Sequence, residues 1–378
     1  MRTQPASPWP RIAEAIAREF TCVREVEHVS CQGAHGRILA QSLCAAQSLP
    51  GHTHAVMDGY ALGALPPGSY QILADAQMIG LGQACHVAAG SSIPHGTVGV
   101  VLADHATQSD NTLHVRAALI KDNIRRAGEE AQVGDTILDA GIPLNARYIA
   151  LALAAGVQTI PVRRRLRIAL AGLHDHAHGL PHLGIARALL MNPAIALTEA
   201  GAVRPAMLEA LLERLSQNHD LVVVVAESLG GEEGLLARAL GHHGESTVHR
   251  ATMKPAKPVV MGKMGESRVI GLAGTAYAVT IAAHLFLRPA LQKLLGLETG
   301  MLFMPAVSGF DRARKPGRAE ALPVRTNSRN GLLEVTSAGR FGQLRALAAM
   351  DGFALIEADE GDIRRGMMVS YWPLSFPL

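Results

Sequence analysis

Aromatic residues are scarce in this chain, and neither sign of charge is in large surplus. Aromatics make up only 4% of the 378 residues, which argues against the stacking platforms that proteins use to bind single-stranded nucleic acid. The formal net charge is +3, and the basic residues lie in scattered pairs and in one triplet, Arg163 to Arg165. We interpret these residues as solvated surface and expect no nucleic-acid partner.

Cysteine is also rare, and its spacing excludes a common class of metal site. The chain has 4 cysteines, all in its first quarter, and none are spaced as a metal knuckle: Cys22, Cys31, Cys44 and Cys85. The N-terminus is Pro-rich and carries charge, without the pattern of a signal peptide. We therefore expect reduced thiols in a cytoplasmic protein.

One stretch lacks charge altogether. Residues 269–287 contain no Asp, Glu, Lys or Arg, and the stretch is long enough to span a bilayer. It is interrupted, however, by small and polar residues: Gly271, Gly274, Thr275, Thr280 and His284. A buried strand, a glycine turn and a buried helix explain this pattern better, so we expect no membrane partner.

The first part of the chain predicts a β module inserted into helical surroundings. Apolar spacing indicates an amphipathic helix at Pro10 to Phe20 and a short second helix around His35 to Ser42. From Ala55 to Asp135, short apolar runs alternate with Gly and Pro, as in an all-β module. Helix returns after Asn145, a good N-cap. We assign residues 1–48 and 136–164 to a helical linker domain and residues 49–135 to the inserted module.

Residues 165–297 show βα alternation, which is typical of a doubly wound, mostly parallel sheet. Strands are expected at Arg167–Ala171, Ala194–Leu197, Asp220–Ala226 and Val269–Leu272, and helices at Leu183–Leu190, Pro205–Ser216, Glu232–Leu240 and Thr275–Leu287. Residues 298–378 contain further short apolar runs, which predict a small β-barrel-like domain. The fold class is therefore α/β and multidomain.

Three segments, in this order, resemble the molybdopterin molybdenumtransferase family, which includes the molybdenum-inserting domain of gephyrin-like proteins. They are Ala55-Val56-Met57-Asp58-Gly59-Tyr60-Ala61, Asn123-Ile124-Arg125-Arg126-Ala127-Gly128-Glu129-Glu130 and Met253-Lys254-Pro255-Ala256-Lys257-Pro258. The predicted domain order is also that of the family, and the match covers essentially the whole chain.

The resemblance implies an enzyme of molybdenum cofactor biosynthesis. Such an enzyme hydrolyses adenylylated molybdopterin and inserts molybdate into its dithiolene, with Mg²⁺ assisting at the phosphates. The family works as a homodimer, with the site between the doubly wound domain of one subunit and the β module of the other. A molybdopterin adenylyltransferase or a molybdoenzyme is a possible further partner.

The same resemblance and the residue chemistry supply the candidate site. Catalytic roles fall to Asp58, Glu130 and Asp175, and substrate binding to Lys254, Lys257, Arg125, Gly274 and Thr275. The two lysines suit a pyrophosphate or an oxyanion, although lysines in a Pro-rich loop are often merely solvated. Asp58 suits metal binding or molybdate release, with an Asx-turn residue as the alternative. Arg125, with Glu129 and Glu130, can equally be a charged turn.

Several ligand-cradling loops depart from the family pattern. Thr-Gly-Asp-Glu after the first doubly wound strand becomes Leu173-His174-Asp175-His176, and Leu-Pro-Gly-Asn-Pro becomes Leu272-Ala273-Gly274-Thr275-Ala276. The second change removes two prolines, which predicts a less constrained turn. An alternative function is thus a catalytically impaired paralogue that binds molybdopterin or assists one molybdoenzyme.

The histidine loop raises a third hypothesis. His174, His176 and His178 alternate around Asp175. With Asp175, His174 and His176 as ligands, the loop could hold zinc, nickel or another borderline metal, and the chain would be a histidine-loop metal-binding protein. The alternatives are a polar surface loop and an anion contact at a helix N-terminus.

Overall fold

The protein divides into two compact units. The computed structural model describes residues 2–3, 5–173, 181–226, 234–243, 246–256, 258–300, 303–336 and 344–374. One unit comprises Met1–Val26, Gly36–Ile38 and Arg163–Leu378, and we call it the sheet unit. The other comprises Glu27–His35 and Leu39–Val162, and we call it the module unit. The four-part division of the chain stays a prediction.

The chain begins in the sheet unit with β1 (Arg2–Thr3) and α1 (Trp9–Arg18). The predicted amphipathic helix is therefore present. Its apolar face, which includes Ile12 and Ile16, is buried in the main core of the sheet unit.

The module unit is almost entirely β, which agrees with the prediction for residues 49–135. The segments assigned to a helical linker domain also contain strands, at Val26–Ser30, Leu43–Cys44, Thr136–Leu138 and Thr159–Arg163. Its elements are β2 (Val26–Ser30), β3 (Leu43–Cys44), β4 (His54–Ala55), β5 (Gly59–Leu62), β6 (Gly68–Leu73), β7 (Gln83–Val87), β8 (Gly99–Leu102), β9 (Ala106–Ser109), β10 (Thr112–Val115), β11 (Ile124–Arg125), β12 (Thr136–Leu138), α2 (Ala146–Ala154) and β13 (Thr159–Arg163). Six strands form one sheet in the order β8-β5-β7-β6-β10-β9, and the others pair as β11-β4, β12-β3 and β13-β2.

The helix boundaries near this unit are partly as predicted. Asn145 caps α2, because its side chain accepts hydrogen bonds from the N–H groups of Arg147 (2.9 Å) and Tyr148 (3.2 Å). The predicted helix around His35 to Ser42 is wrong. A 3₁₀ turn at Cys31–Ala34 lies just before this segment, and Gly36 within it adopts φ +72°, which is incompatible with a right-handed helix.

The sheet unit continues with the predicted βα alternation. Its elements are β14 (Leu166–Leu173), α3 (Pro181–Leu190), β15 (Ile195–Val203), α4 (Leu208–Ser216), β16 (Leu221–Ala226), α5 (Leu235–His243), β17 (Ser246–Arg250), β18 (Met253–Lys254), β19 (Pro258–Met264), β20 (Ser267–Ala273), α6 (Ala276–Ala282) and α7 (Arg288–Leu295). Seven strands are ordered β1-β17-β19-β20-β16-β14-β15. Four neighbours, β20, β16, β14 and β15, run parallel, whereas β19 is antiparallel to both β17 and β20.

Strand β16 shows why the centre of this sheet is uninterruptedly apolar. Leu221, Val223 and Val225 face the core that contains α1, α3, α6 and α7. The residues between them, Val222, Val224 and Ala226, face the core that contains α4 and α5. Because both faces are covered by helices, every position of the strand is apolar.

The uncharged stretch at 269–287 is the end of β20, the turn at Gly274, α6 and a π-helical turn at Ala283–Leu287. The prediction of a strand, a glycine turn and a buried helix is confirmed. Within the described ranges, no helix is both long and apolar enough to cross a membrane.

The C-terminal part forms the predicted small β domain. Its elements are β21 (Met304–Val307), β22 (Ala319–Thr326), β23 (Leu333–Val335), α8 (Leu344–Ala349), β24 (Gly352–Ile356) and β25 (Met368–Pro373). The strand order is β18-β22-β24-β25-β21, with β23 also paired to β22. A bridge between Ser308 and Leu333 links the end of β21 to β23, which makes the sheet barrel-like.

The basic triplet is not the solvated surface that its sequence suggests. The side chain of Arg164 is 19% exposed and forms a bidentate pair with Asp220, with Nη–Oδ distances of 2.7 and 2.8 Å. Arg163 donates to the backbone oxygen of Leu295. Two of the three arginines therefore stabilise the sheet unit internally. The four cysteines are free, as expected.

Candidate active site

The carboxyl ends of the parallel strands form one level edge of the seven-stranded sheet. Leu173 of β14 pairs with Ala226 of β16, and Ala226 pairs with Ala273 of β20. Strand β15 lies on one side of β14 and β16 on the other. Helix α3 leads to β15 and helix α4 leads to β16, and the two helices pack on opposite faces of the sheet. The winding thus reverses between β14 and β16, which is where open α/β sheets bind ligands.

Part of the predicted site follows this edge directly but lies outside the described residues. Residues 174–180 and 227–233, which follow Leu173 and Ala226 in the chain, are among those that the structure does not describe. Asp175, His174 and His176, and with them the predicted histidine metal site, fall in the first of these segments, and Lys257 also lies outside the described ranges. In the part of the chain that the structure describes, no group of three or more His, Cys, Asp or Glu side chains is placed to hold a metal ion.

Gly274 and Thr275 form the described turn at this edge. Gly274 has φ +118°, and its N–H donates to the carbonyl oxygen of Ala226 at 3.0 Å. A side chain at Gly274 would place its Cβ 2.8 Å from the Cβ of Ala278. Thr275 Oγ1 accepts a hydrogen bond from the N–H of Ala278 at 3.3 Å and caps α6. The threonine cap fixes the start of α6. The two prolines of the family pattern are Ala273 and Ala276 here, and a less constrained turn stays a prediction.

Lys254 lies on the short strand β18, which pairs with β22 of the C-terminal β domain. It pairs with Glu320 in the parallel β18–β22 ladder, and its neighbour Met253 is buried in the main core. The side chain of Lys254 is exposed. Two residues on, Ala256 adopts φ +69° although it is buried, a left-handed conformation that costs about 1–2 kcal/mol for a non-glycine residue. The exposed cation of Lys254 is thus flanked in the chain by two buried residues, Met253 and Ala256.

Asp58 lies in the module unit, in the turn between β4 and β5. It is exposed, and its Oδ1 accepts a hydrogen bond from the N–H of Ala89 at 2.9 Å. Gly59, which follows, can carry no side chain, because a Cβ there would lie 1.9 Å from the carbonyl oxygen of Val101. The carboxylate therefore has a structural role as well, since it ties its own turn to the loop that follows β7.

Arg125 and Glu130 belong to an exposed charged turn. The guanidinium of Arg125 pairs with both Glu129 and Glu130, and Arg126 Nη2 lies 2.5 Å from Asp122 Oδ2. The side chains of Arg125 and Glu130 are 39% and 53% exposed. The hydrogen bond from Arg126 lowers the pKa of Asp122. The structure thus contains the charged turn that is the alternative interpretation of these residues, and their role in binding stays a prediction.

The backbone brings the first two motifs together. Ile124 and Arg125 of β11 pair with Ala55 and His54 of β4. The N–H of Val56 donates to the oxygen of Asn123 at 3.0 Å. Asp58 and the charged turn therefore share one pair of short strands, although 66 residues separate Asp58 from Ile124 in the chain.

Sequence reasoning missed a buried basic pair in the sheet unit. His284 and Arg288, which are 4% and 8% exposed, line a cavity of about 260 Å³. Arg288 Cζ lies 5.2 Å from the ring centroid of Trp372, and His284 Nδ1 lies 2.8 Å from the oxygen of Thr280. Burial lowers the pKa of His284. The signal in the sequence is two basic residues at i, i+4 in an otherwise apolar helix.

The fold and this edge place the chain among the multidomain α/β proteins that combine a doubly wound sheet, a β module and a C-terminal β domain. A family profile described as the MoeA N-terminal region (domain I and II) matches residues 10–156, and a second, the MoeA C-terminal region (domain IV), matches residues 305–374. The chain belongs to the MoeA family.

Individual relatives agree over almost the full length. The chain is 22% identical to a molybdopterin molybdenumtransferase of Haemophilus influenzae, over 93% of this chain and 94% of that protein. It is 23% identical to molybdopterin molybdenumtransferase 2 of Mycobacterium tuberculosis, over 90% and 93%. The crystal structure of the molybdopterin biosynthesis MoeA protein from Pyrococcus horikoshii superposes with a TM-score of 0.81 at 19% identity, covering 97% of this chain and 99% of that one. This last likeness establishes the shared fold.

Proposed function

We propose that this chain is a molybdopterin molybdenumtransferase of molybdenum cofactor biosynthesis, which inserts molybdate into adenylylated molybdopterin. The observation that carries the proposal is sequence similarity along almost the whole chain, because a relative of that name matches 93% of it. The level carboxyl edge at Leu173, Ala226 and Ala273 supports it, because this is where such a sheet binds ligands.

In this proposal the lysine motif binds the phosphates of the substrate. Lys254 and Lys257 bring ammonium groups to a pyrophosphate, whose negative charge they stabilise during cleavage. The turn at Gly274 and Thr275 supplies backbone close to the ligand, since no side chain at Gly274 blocks its approach. Asp58, Glu130 and Asp175 are proposed as the catalytic carboxylates, and Arg125 as a further phosphate ligand.

Mg²⁺ is the proposed metal, and the described donors fit it. Asp58 and Glu130 are exposed carboxylates, and Mg²⁺ is usually held by one or two carboxylates together with the phosphates of a substrate. The metal would neutralise charge on those phosphates. Asp58 would have to bind it while keeping the hydrogen bond from Ala89.

We further propose a cytoplasmic homodimer that receives its substrate from a molybdopterin adenylyltransferase or delivers the product to a molybdoenzyme. Size-exclusion chromatography with light scattering tests the dimer. Pull-down of purified candidates tests the partners, and fractionation of cells tests the compartment.

The function is tested by complementation and by direct assay. A strain without its own insertase should regain molybdoenzyme activity when it expresses this chain. Purified protein given adenylylated molybdopterin, molybdate and Mg²⁺ should release AMP and activate a cofactor-free molybdoenzyme. Lys254→Ala should abolish most of this activity, whereas Lys293→Gln, on the exposed side of α7, should not.

Two other outcomes separate the remaining hypotheses. Tight molybdopterin binding without AMP release identifies the impaired paralogue. Near-stoichiometric zinc or nickel in tag-free protein, lost when His174 and His176 are changed to Ala, identifies the histidine-loop metal protein.

A further inference from the structure

A second polar groove lies in the sheet unit, at the opposite end of β20 from the candidate active site. It encloses about 440 Å³ between α1 and the antiparallel strands, and its lining includes Glu19, Thr247, His249, Met261, Lys263 and Arg268. Lys263 pairs with Arg268 at the start of β20, whereas Val259 pairs with Leu272 at its end. Four residue steps of about 3.3 Å separate these levels by about 13 Å. The groove is therefore distinct from the carboxyl edge.

His249 is a buried polar residue whose Nδ1 has no hydrogen-bond partner in the described part of the chain. It is 5% exposed, and among the described residues no atom forms a hydrogen bond with its buried Nδ1. Buried polar atoms in native structures nearly always have a partner. Burial lowers the pKa of this imidazole, which keeps the ring neutral at neutral pH. In a neutral ring Nδ1 donates or accepts according to the tautomer. With the proton on Nδ1, it donates to an acceptor in the groove that the ring lines.

Two cations extend over the same groove. Arg268 Nη1 lies 3.1 Å from Glu19 Oε2, and this is the one ion pair of its side chain in the described structure. A guanidinium has five N–H donors, so this contact leaves capacity for a second acceptor. Lys263 Nζ lies 3.5 Å from Glu266, whose side chain is 97% exposed. So exposed a pair is weak and yields readily to a better acceptor.

We propose that this groove binds the phosphoryl group of a small metabolite. An arginine fork, a lysine and a buried imidazole donor surround one space, and together they match a group with several anionic oxygens. A water molecule at His249 would not account for the two cations. The apolar side chain of Met261 and the volume of about 440 Å³ leave room for the organic part of the ligand.

Calorimetric titration of the full chain with inorganic phosphate tests the proposal. One saturable site per chain is expected, and acetate should bind at least about tenfold more weakly, because it offers fewer oxygens. Lys263→Gln and Arg268→Gln should each weaken phosphate binding about tenfold, the loss expected for one charge-assisted hydrogen bond. Glu19→Gln should strengthen binding, because it releases Arg268 and removes a negative charge.

Two comparisons separate a binding role from a structural one. His249→Leu should weaken phosphate binding, whereas His249→Asn, whose amide lies near the position of Nδ1, should largely restore it. Lys293→Gln, which removes the same charge elsewhere, should leave binding unchanged. Thermal unfolding of each variant confirms that it is folded.

Several results would overturn the proposal: no saturable phosphate binding, equal affinity for acetate, or affinity unchanged in Lys263→Gln. Binding that is lost in Lys254→Gln and kept in Lys263→Gln would assign phosphate to the candidate active site instead. Lys263→Gln is also expected to retain molybdenum insertion, so that failure of the groove and failure of the proposed function are distinguishable.

Discussion

The candidate site residues occur in two regions that are held in different ways. At the carboxyl edge of the sheet, Gly274 and Thr275 are fixed by backbone hydrogen bonds above a fully buried strand, β16. In the charged turn of the module unit, Arg125 and Glu130 are exposed and are held by one another. Changes at the edge should therefore alter stability and function together, whereas changes in the turn should alter function with little loss of stability.

The largest loss of stability is expected at the start of β16, which is the end of this strand opposite to the carboxyl edge. Arg164→Ala leaves Asp220, whose side chain is 12% exposed, without its bidentate partner. Breaking a buried pair costs about 3–5 kcal/mol, and the lower end of this range is expected because Asp220 keeps the hydrogen bond from the N–H of Arg167. Arg325→Ala is the control, because its pair with Glu334 is more exposed and is worth at most about 1 kcal/mol. Urea unfolding of both variants checks the difference, and equal losses would contradict it.

The same carboxylate predicts a dependence on pH. Burial raises the pKa of Asp220, but hydrogen bonds from Arg164 and from the backbone of Arg167 outweigh burial and hold the pKa below its ordinary 3.8. A lowered pKa stabilises the folded state above pH 3.8, and this contribution is lost as the pH falls through the folded value. Asp220→Asn should therefore be less stable than wild type at neutral pH and should lose less stability on acidification. Unfolding measured from pH 6 to pH 2 checks this, and parallel curves would refute it.

A substitution at Gly59 tests whether the backbone of the module unit is held as weakly as the side chains of its charged turn. Gly59→Ala drives a Cβ against the carbonyl oxygen of Val101 in the adjacent strand. Such overpacking costs about 1–3 kcal/mol and should displace Asp58. Gly51→Ala is the control, because the nearest atom to its Cβ is 3.7 Å away. If Gly59→Ala unfolds like Gly51→Ala, the backbone of the first motif is not fixed as the structure indicates.

Sequence predicted the fold where one periodicity dominates. The run from Leu221 to Val225 is apolar because β16 is covered on both faces, and it was assigned correctly. The edge strand β15 ends at Val203, well past the predicted end at Leu197. The second half of the strand is largely exposed, as at Glu199, so the sequence has no continuous apolar run there. At His35 to Ser42, Ile38 and Leu39 are apolar because they are buried, although they are not helical.

For the candidate site, the sequence predicted the residues that belong to motifs but not the contacts that hold them. Resemblance identified Lys254, Asp58 and the charged turn, but their partners depend on contacts between distant segments. Asp58 and Ala89 are 31 positions apart, and nothing local in the sequence indicates their hydrogen bond. The hydrogen bond from Gly274 to Ala226 is likewise a contact between distant segments that the motif alone does not show.

A substitution at Thr275 should cause a smaller loss of stability at the carboxyl edge. Thr275→Ala removes the cap of α6 and should cost about 1 kcal/mol. Thr275→Ser keeps the accepting oxygen and should restore most of that loss. The proposed activity should fall in parallel with stability, because the same turn is proposed to border the ligand. Chemical unfolding and the AMP-release assay measure the two effects, and an unchanged stability in Thr275→Ala would show that the cap does not hold the turn.

The smallest effect on stability is expected in the charged turn. Arg125→Gln removes exposed ion pairs with Glu129 and Glu130, so the free energy of unfolding should change by less than about 1 kcal/mol. If Arg125 binds a substrate phosphate, the same change should raise KM about tenfold. Arg126→Gln removes an equal charge and a similar pair, with Asp122, and should leave KM nearly unchanged. Equal effects of the two substitutions on KM would mean that the turn contributes only its net charge, and Arg125 would then have no specific role in binding.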